Sequence, residues 1–172
     1  MKKFTDSSIF KGLTNHLPSI LLLVSVLNEL DFNYLPIKYF SFNFPFILIF
    51  YWSLKQSGSL GYGFIFISGV VNDVVVGLPI GISSLSYLLI CGFAAYLKYL
   101  TLRPNLIKDW FFFLFTILLV NSLNYILLVL FFSFDIDYYT SLYNLTFTFI
   151  FYLIFANFFD IYQRIFMEIK ND

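Results

Sequence analysis

Few residues in this chain could do chemistry, and the most informative of them fall in one string. From Ser68 to Leu88 the sequence reads SGVVNDVVVGLPIGISSLSYL, with Gly69, Asp73 and Gly77 spaced four apart and Pro79 and Gly81 close behind. On a helix that spacing puts the first three on one face, a carboxylate between two positions where another backbone can come close. An ionised acid at the centre of a membrane span costs about 2.5–3.5 kcal/mol on insertion scales, so Asp73 must face protein or water and not lipid. Three uses fit. The carboxylate could take up free amides where a helix starts after the Gly-Pro-Gly break, at the positive end of the dipole. It could dock a partner helix, or it could belong to a proton or ion relay. A relay needs several ionisable groups, and no other acid, Lys, Arg or His lies deep in an apolar run. The possible partners of Asp73 are Asn121, Asn124, Asn144, Asn157, a backbone amide at the break, or a group on another subunit.

Catalysis finds no set of residues to carry it. His16 is the single histidine, and there is no Ser/His/Asp combination, no H-E-x-x-H and no pair of intramembrane carboxylates. Gly61-Tyr62-Gly63 is too short to cradle a phosphate, and Cys91 stands alone, so neither a Cys-based metal site nor a cofactor is expected. Asn121 and Asn124 fall three apart and share a face, which suits hydrogen bonding between helices. Ser83, Ser84 and Ser86 are small and suit tight packing. Ten Lys+Arg balance ten Asp+Glu, so no basic excess points to nucleic acid.

The elements that must position these residues are set by composition. Of 172 residues, 60% are hydrophobic, 23% aromatic and 12% charged, with a mean hydropathy of +0.84. Soluble domains carry about 25% charged residues, so this chain cannot cover a water-facing surface and the bilayer must be most of its solvent. The expected fold is all-α, a polytopic membrane protein with six transmembrane helices in a single domain. The spans fall at about 17–30, 39–54, 60–76, 80–97, 110–132 and 142–159. Asn28, Glu29 and Asp31 follow the first apolar core where a cleavable signal would need small residues, so it reads as a retained helix. The apolar stretch from Leu60 to Leu97 is 38 residues, about 57 Å as one helix against roughly 30 Å of hydrocarbon, so it must fold back. Pro79 and its flanking glycines place the reversal between spans three and four, which form a tight hairpin.

Lys and Arg set the direction of crossing. With the N-terminus inside, nine of the ten are cytoplasmic and only Lys38 is outside, while Glu29, Asp31, Asp135 and Asp137 occupy outer loops. Both termini are expected in the cytoplasm.

The string Gly69-x-x-x-Asp73-x-x-x-Gly77-x-Pro79-x-Gly81, followed by a Ser/Leu-rich helix, resembles the signature of the MreD family of bacterial rod shape-determining membrane proteins. FPFILIFYWSL from Phe44 and AAYLKYL from Ala94 are similar to flanking patterns of that family; Phe46 departs from it, standing where Asp or Asn is common. The resemblance implies a non-enzymatic scaffold of cell-wall elongation in the inner membrane. It would work with MreC, and indirectly with MreB, RodA and its penicillin-binding transpeptidase. Gly69, Asp73, Gly77, Pro79 and Gly81 are the expected partner-binding positions, as a small-residue face for the transmembrane helix of MreC.

The alternative is a vitamin-binding subunit of a membrane transporter, also of about six helices. It would need a small-residue A-x-x-x-A pattern early in the chain and a pocket lined by polar groups under the outer loops. Span one has no such alanine pattern.

Overall fold

The computed structural model describes residues 17–27, 41–55, 60–100, 105–133 and 137–171, with 165–171 described by backbone alone. Every element among the described residues is a helix. They are α1 (Leu17–Leu27), α2 (Phe44–Lys55), α3 (Tyr62–Val76), α4 (Ile82–Leu100), α5 (Leu106–Phe132) and α6 (Tyr138–Asn171). The all-α expectation holds, but not the expectation of six full-length spans. Only α4, α5 and α6 as far as Arg164 are long and apolar enough to cross a membrane, and α1, α2 and α3 are shorter. The ends of spans one and two at 28–30 and 39–40 lie outside the described residues, as do Lys2, Lys3, Lys11, Lys38 and Arg103 of the charge count.

Span two is shortened by its own sequence. Residues 41–43 are not helical, and Asn43 Oδ1 accepts from the Phe46 amide at 3.3 Å, which caps a helix starting at Phe44. Pro45 then sits in the first turn, where its missing amide breaks no intrahelical bond. The resulting 12-residue helix is about 18 Å long. It needs no greater length because its surroundings are protein: every residue from Phe44 to Leu54 is buried.

α4 is the chief neighbour of α2, and aromatic rings of α5 and α6 cover further faces. Phe50 meets Phe113 of α5 at 5.0 Å between centroids and Tyr152 of α6 at 5.7 Å, and Phe113 stacks on Tyr152 at 4.4 Å. Such offset and edge contacts add roughly 0.5–1.5 kcal/mol each beyond the area they bury. Polar bonds fix both ends of α2 to α6. The Asn43 amide donates to Thr148 Oγ1 at 2.8 Å, and Tyr51 Oη donates to Asp160 Oδ1 at 2.7 Å.

The periphery is the opposite. Only 28% of the spanning window of α5 and 22% of that of α6 are buried inside the protein, although α5 has a hydropathy of 2.2 there. Leu130 and Phe131 are 72% and 74% exposed. Apolar surface on that scale requires lipid around it, which makes this a membrane protein.

α3 and α4 form the expected hairpin. Gly77 ends α3 with φ +76°, a left-handed conformation that strains any residue with a Cβ. Gly81 opens α4 with φ +107°. Between the two helices, Gly69 lies so close to Ser84 that an added Cβ would stand 2.4 Å from the Ser84 Cα and 2.5 Å from its amide nitrogen. Ser84 Oγ also donates to the Phe66 carbonyl at 3.0 Å. Small residues on both helices thus allow the close approach typical of helices packed in lipid.

Because the obstructing atoms at Gly69 are backbone, Gly69→Ala must push the helices apart. Overpacking of this kind costs about 1–3 kcal/mol, or about 5 °C in melting temperature for a chain of this size. Thermal unfolding in detergent checks it, with two companions: Ser84→Gly should not rescue the variant, and Gly92→Ala, which faces open space, should leave the melting temperature unchanged.

Candidate functional site

Asp73 is 0% exposed, and its partners are backbone amides at the break. Its Oδ2 accepts from the Gly81 amide at 2.7 Å and its Oδ1 from the Ser83 amide at 2.8 Å. Those donors open α4, where the first amides have no intrahelical acceptor and the dipole is positive. Its carbonyl closes the other side of the turn, accepting from Gly77 and from Leu78 at 2.9 Å. One residue therefore ends α3 with its backbone and begins α4 with its side chain. Asn121, Asn124, Asn144 and Asn157 make no bond to it.

The five positions read from the sequence do come together in this turn. Gly69 meets Ser84, Gly77 and Gly81 supply the two positive φ angles, and the Pro79 carbonyl accepts from the Ile82 amide at 3.3 Å. Of the three positions on the small-residue face of α3, Gly69 packs on α4 at Ser84 and Asp73 bonds the first amides of α4, while Gly77 has open space around it. Among the apolar side chains left outward on the hairpin are Ile67, Val74 and Ile80, exposed by 59%, 66% and 74%.

Beside the hairpin, at the same end of the bundle, lies a cavity of about 540 Å³. Its described walls come from α1 through α6 and are rich in side-chain amides and hydroxyls, among them Asn72, Asn121, Asn124, Asn144 and Ser83. Most of the amides are anchored. Asn72 Nδ2 donates to Ser83 Oγ at 3.0 Å, Asn124 Oδ1 accepts from Ser86 Oγ at 2.8 Å, and Asn144 Nδ2 donates to Ser41 Oγ at 2.6 Å. The helix-to-helix bond expected of Asn124 is thus present. Asn121, on the same face of α5, lines the cavity and has no side-chain bond among the described residues. The polar pocket required by the vitamin-binding alternative exists.

A second polar group occupies the opposite end of the bundle, and sequence reading missed it. Lys55 Nζ lies 3.6 Å from Asp160 Oδ1, which also receives the Tyr51 hydroxyl at 2.7 Å. Asp109 is buried there as well. The span expected at 110–132 leaves Asp109 just outside it. Instead α5 begins at Leu106, because Asn105 Oδ1 caps it by accepting from the Ile107 amide at 3.1 Å. An Asn followed by an acid in the first turn is an N-terminal signal that could have revealed this.

No group of three or more His, Cys, Asp or Glu able to hold a metal occurs among the described residues. Several of the polar side chains join one helix to another within a small helical membrane protein. The family model described as rod shape-determining protein MreD matches residues 11–164, nearly the whole chain. The chain belongs to the MreD family. Comparison with curated proteins and with solved structures gives no match.

Asp73→Ala would leave two buried amides without acceptors, at about 1–3 kcal/mol each. A fall of at least about 5 °C in melting temperature is expected in detergent, and an unchanged value would show that the turn does not depend on the carboxylate. At the cavity rim, Asp137 starts α6, its Oδ2 taking the Thr140 hydroxyl at 2.7 Å and its Oδ1 the Tyr139 amide at 3.0 Å. These bonds, the Thr140 hydroxyl first, hold its carboxyl below the usual range. A lowered folded value means the cap is fully present above the free-Asp value of about 3.9 and is lost as pH falls through the lower folded value. The protection of the Tyr139 and Thr140 amides, taken as exchange relative to the intrinsic rate at each pH, should therefore fall only below about pH 4, and in Asp137→Asn it should not change across that window.

Proposed function

We propose that this chain is a non-enzymatic scaffold of the bacterial cell-wall elongation complex that holds MreC in the inner membrane and so supports rod shape. It crosses the bilayer six times with both termini in the cytoplasm. Support for the direction comes from the described cations: Lys55, Lys98 and Arg164 lie toward the ends of α2, α4 and α6, and Lys108 near the start of α5. All four belong to the end of the bundle away from the α3–α4 turn, as the positive-inside rule requires of a cytoplasmic end.

The observation that carries the reading is the mismatch at α3. Its 15 residues span about 22 Å, roughly 8 Å less than the hydrocarbon. It sits at the edge of the bundle and packs chiefly on α4. A short, rigid helix at the periphery costs a fraction of a kcal/mol per Å as lipid thins around it, and a partner helix relieves that cost. Gly69, Asp73, Gly77, Pro79 and Gly81 serve the contact by fixing the hairpin, and Ile67, Val74 and Ile80 supply the apolar surface that meets the MreC transmembrane helix.

The alternative of a vitamin-binding transporter subunit draws support from the polar cavity alone, and α1 contains no alanine. Mass spectrometry of the gently purified protein separates the two, a stoichiometric vitamin favouring the alternative and retained MreC the scaffold. On the scaffold reading, the double variant Ile67→Trp and Val74→Trp should lower MreC co-purification several-fold while its melting temperature stays unchanged. Leu130→Trp on the lipid side of α5 should recover MreC normally. Full recovery of MreC by the folded double variant would reject this face as the contact.

A further inference from the structure

We propose that the 540 Å³ cavity at the hairpin end binds a neutral sugar, most suitably an N-acylated one. This goes beyond the scaffold function, which does not require a small-molecule site. The size lies within the ~300–1,000 Å³ usual for such sites.

Charge selects first. No Lys or Arg is among the described residues lining the cavity, and its one described acid, Asp137, has both oxygens engaged in capping α6. An anionic ligand would enter without a counter-charge and beside the Asp137 carboxylate, at a cost that a neutral ligand avoids.

The anchored amides select next. Asn72 spends its Nδ2 on Ser83 and keeps Oδ1 as an acceptor, whereas Asn124 spends one end of its amide on the Ser86 hydroxyl, which also bonds the Ile82 carbonyl, and keeps the other end. Asn43 uses Oδ1 to cap α2 and keeps its donor. Each half-engaged amide is held in orientation by the bond it already makes, so the spare half is preorganised. Asn121 adds a whole free amide. Fixed donors and acceptors in alternation suit adjacent hydroxyls and an acetamido group, each of which gives and takes hydrogen bonds at once.

Aromatic surface completes the match. Tyr125, whose hydroxyl is bonded to that of Tyr138, lines the cavity with its half-buried ring, and Phe42, Phe46 and Tyr87 also contribute to the walls. Flat rings pack against the apolar C–H faces of a pyranose, giving one ligand both contacts that this lining offers.

Asn121 makes the proposal testable, because its amide makes no bond among the described residues. The full-length protein in lipid nanodiscs is titrated with N,N′-diacetylchitobiose and followed by saturation-transfer NMR, with the parent compared with Asn121→Leu. The expected result is saturable binding that weakens tenfold or more in Asn121→Leu while the melting temperature is unchanged. A second measurement does not depend on that variant. A cysteine is introduced in the cavity wall by Ser141→Cys, which keeps Asn121, and labelled with a membrane-impermeant maleimide, with the parent's buried Cys91 as the background. Protection of the new thiol by the disaccharide supports the site. Absence of saturable binding, binding equal in parent and Asn121→Leu, or protection by MreC and not by the disaccharide would each overturn it, the last by giving the cavity to a protein segment.

Discussion

The architecture at the hairpin depends on one carboxylate and two amides. Lipid offers no hydrogen bonds, so a chain that turns back inside or near the hydrocarbon must satisfy every amide it frees. Asp73 does this for the first amides of α4 through its two carboxylate oxygens, while its own carbonyl takes the amides that leave α3. The geometry permits no freedom in the residues around it. The two positive φ angles fall on glycines, and the close crossing at Gly69 and Ser84 lies one turn back from the acid. A charge that would be costly in lipid becomes the group that holds the turn, because it is completely enclosed and paired with fixed dipoles.

Around that hairpin the molecule has two kinds of apolar surface with different solvents. α2 is apolar on all faces and covered by protein, so it can be short and can carry large rings in contact with other rings. α5 and α6 are longer, less enclosed, and turn leucine and phenylalanine outward to lipid. Polar side chains are concentrated at the two ends of the bundle. At one end amides and hydroxyls surround a cavity; at the other Lys55, Asp160 and Asp109 gather where α2, α5 and α6 terminate.

Much of this was legible in the residues. The helical class and the reversal at Pro79 follow from apolar length and glycine placement, and the acid one turn before the break already suggested an amide-capping role. Three features were not legible, for physical reasons. Averaged hydropathy does not distinguish lipid from protein as the surroundings of an apolar helix, so the enclosed, shortened α2 looked like an ordinary span. Lys55, Asp109 and Asp160 each lie just beyond an apolar run and read as loop residues, although the helices continue through them. The spacing of Asn121 and Asn124 gave a shared face but not what that face meets, so the bonded Asn124 and the unbonded Asn121 looked alike.

The enclosure of α2 bears on how the molecule is made. Its ends are tied to residues 105 and 109 positions further along the chain, Thr148 and Asp160. When α2 leaves the ribosome, the rings that will cover it have not been synthesised. A nascent chain lacking α6 therefore carries an undersized apolar helix with an open flank, which is a recognisable target for quality-control proteases and insertion chaperones. Synthesis of α6 is what closes this flank of the core.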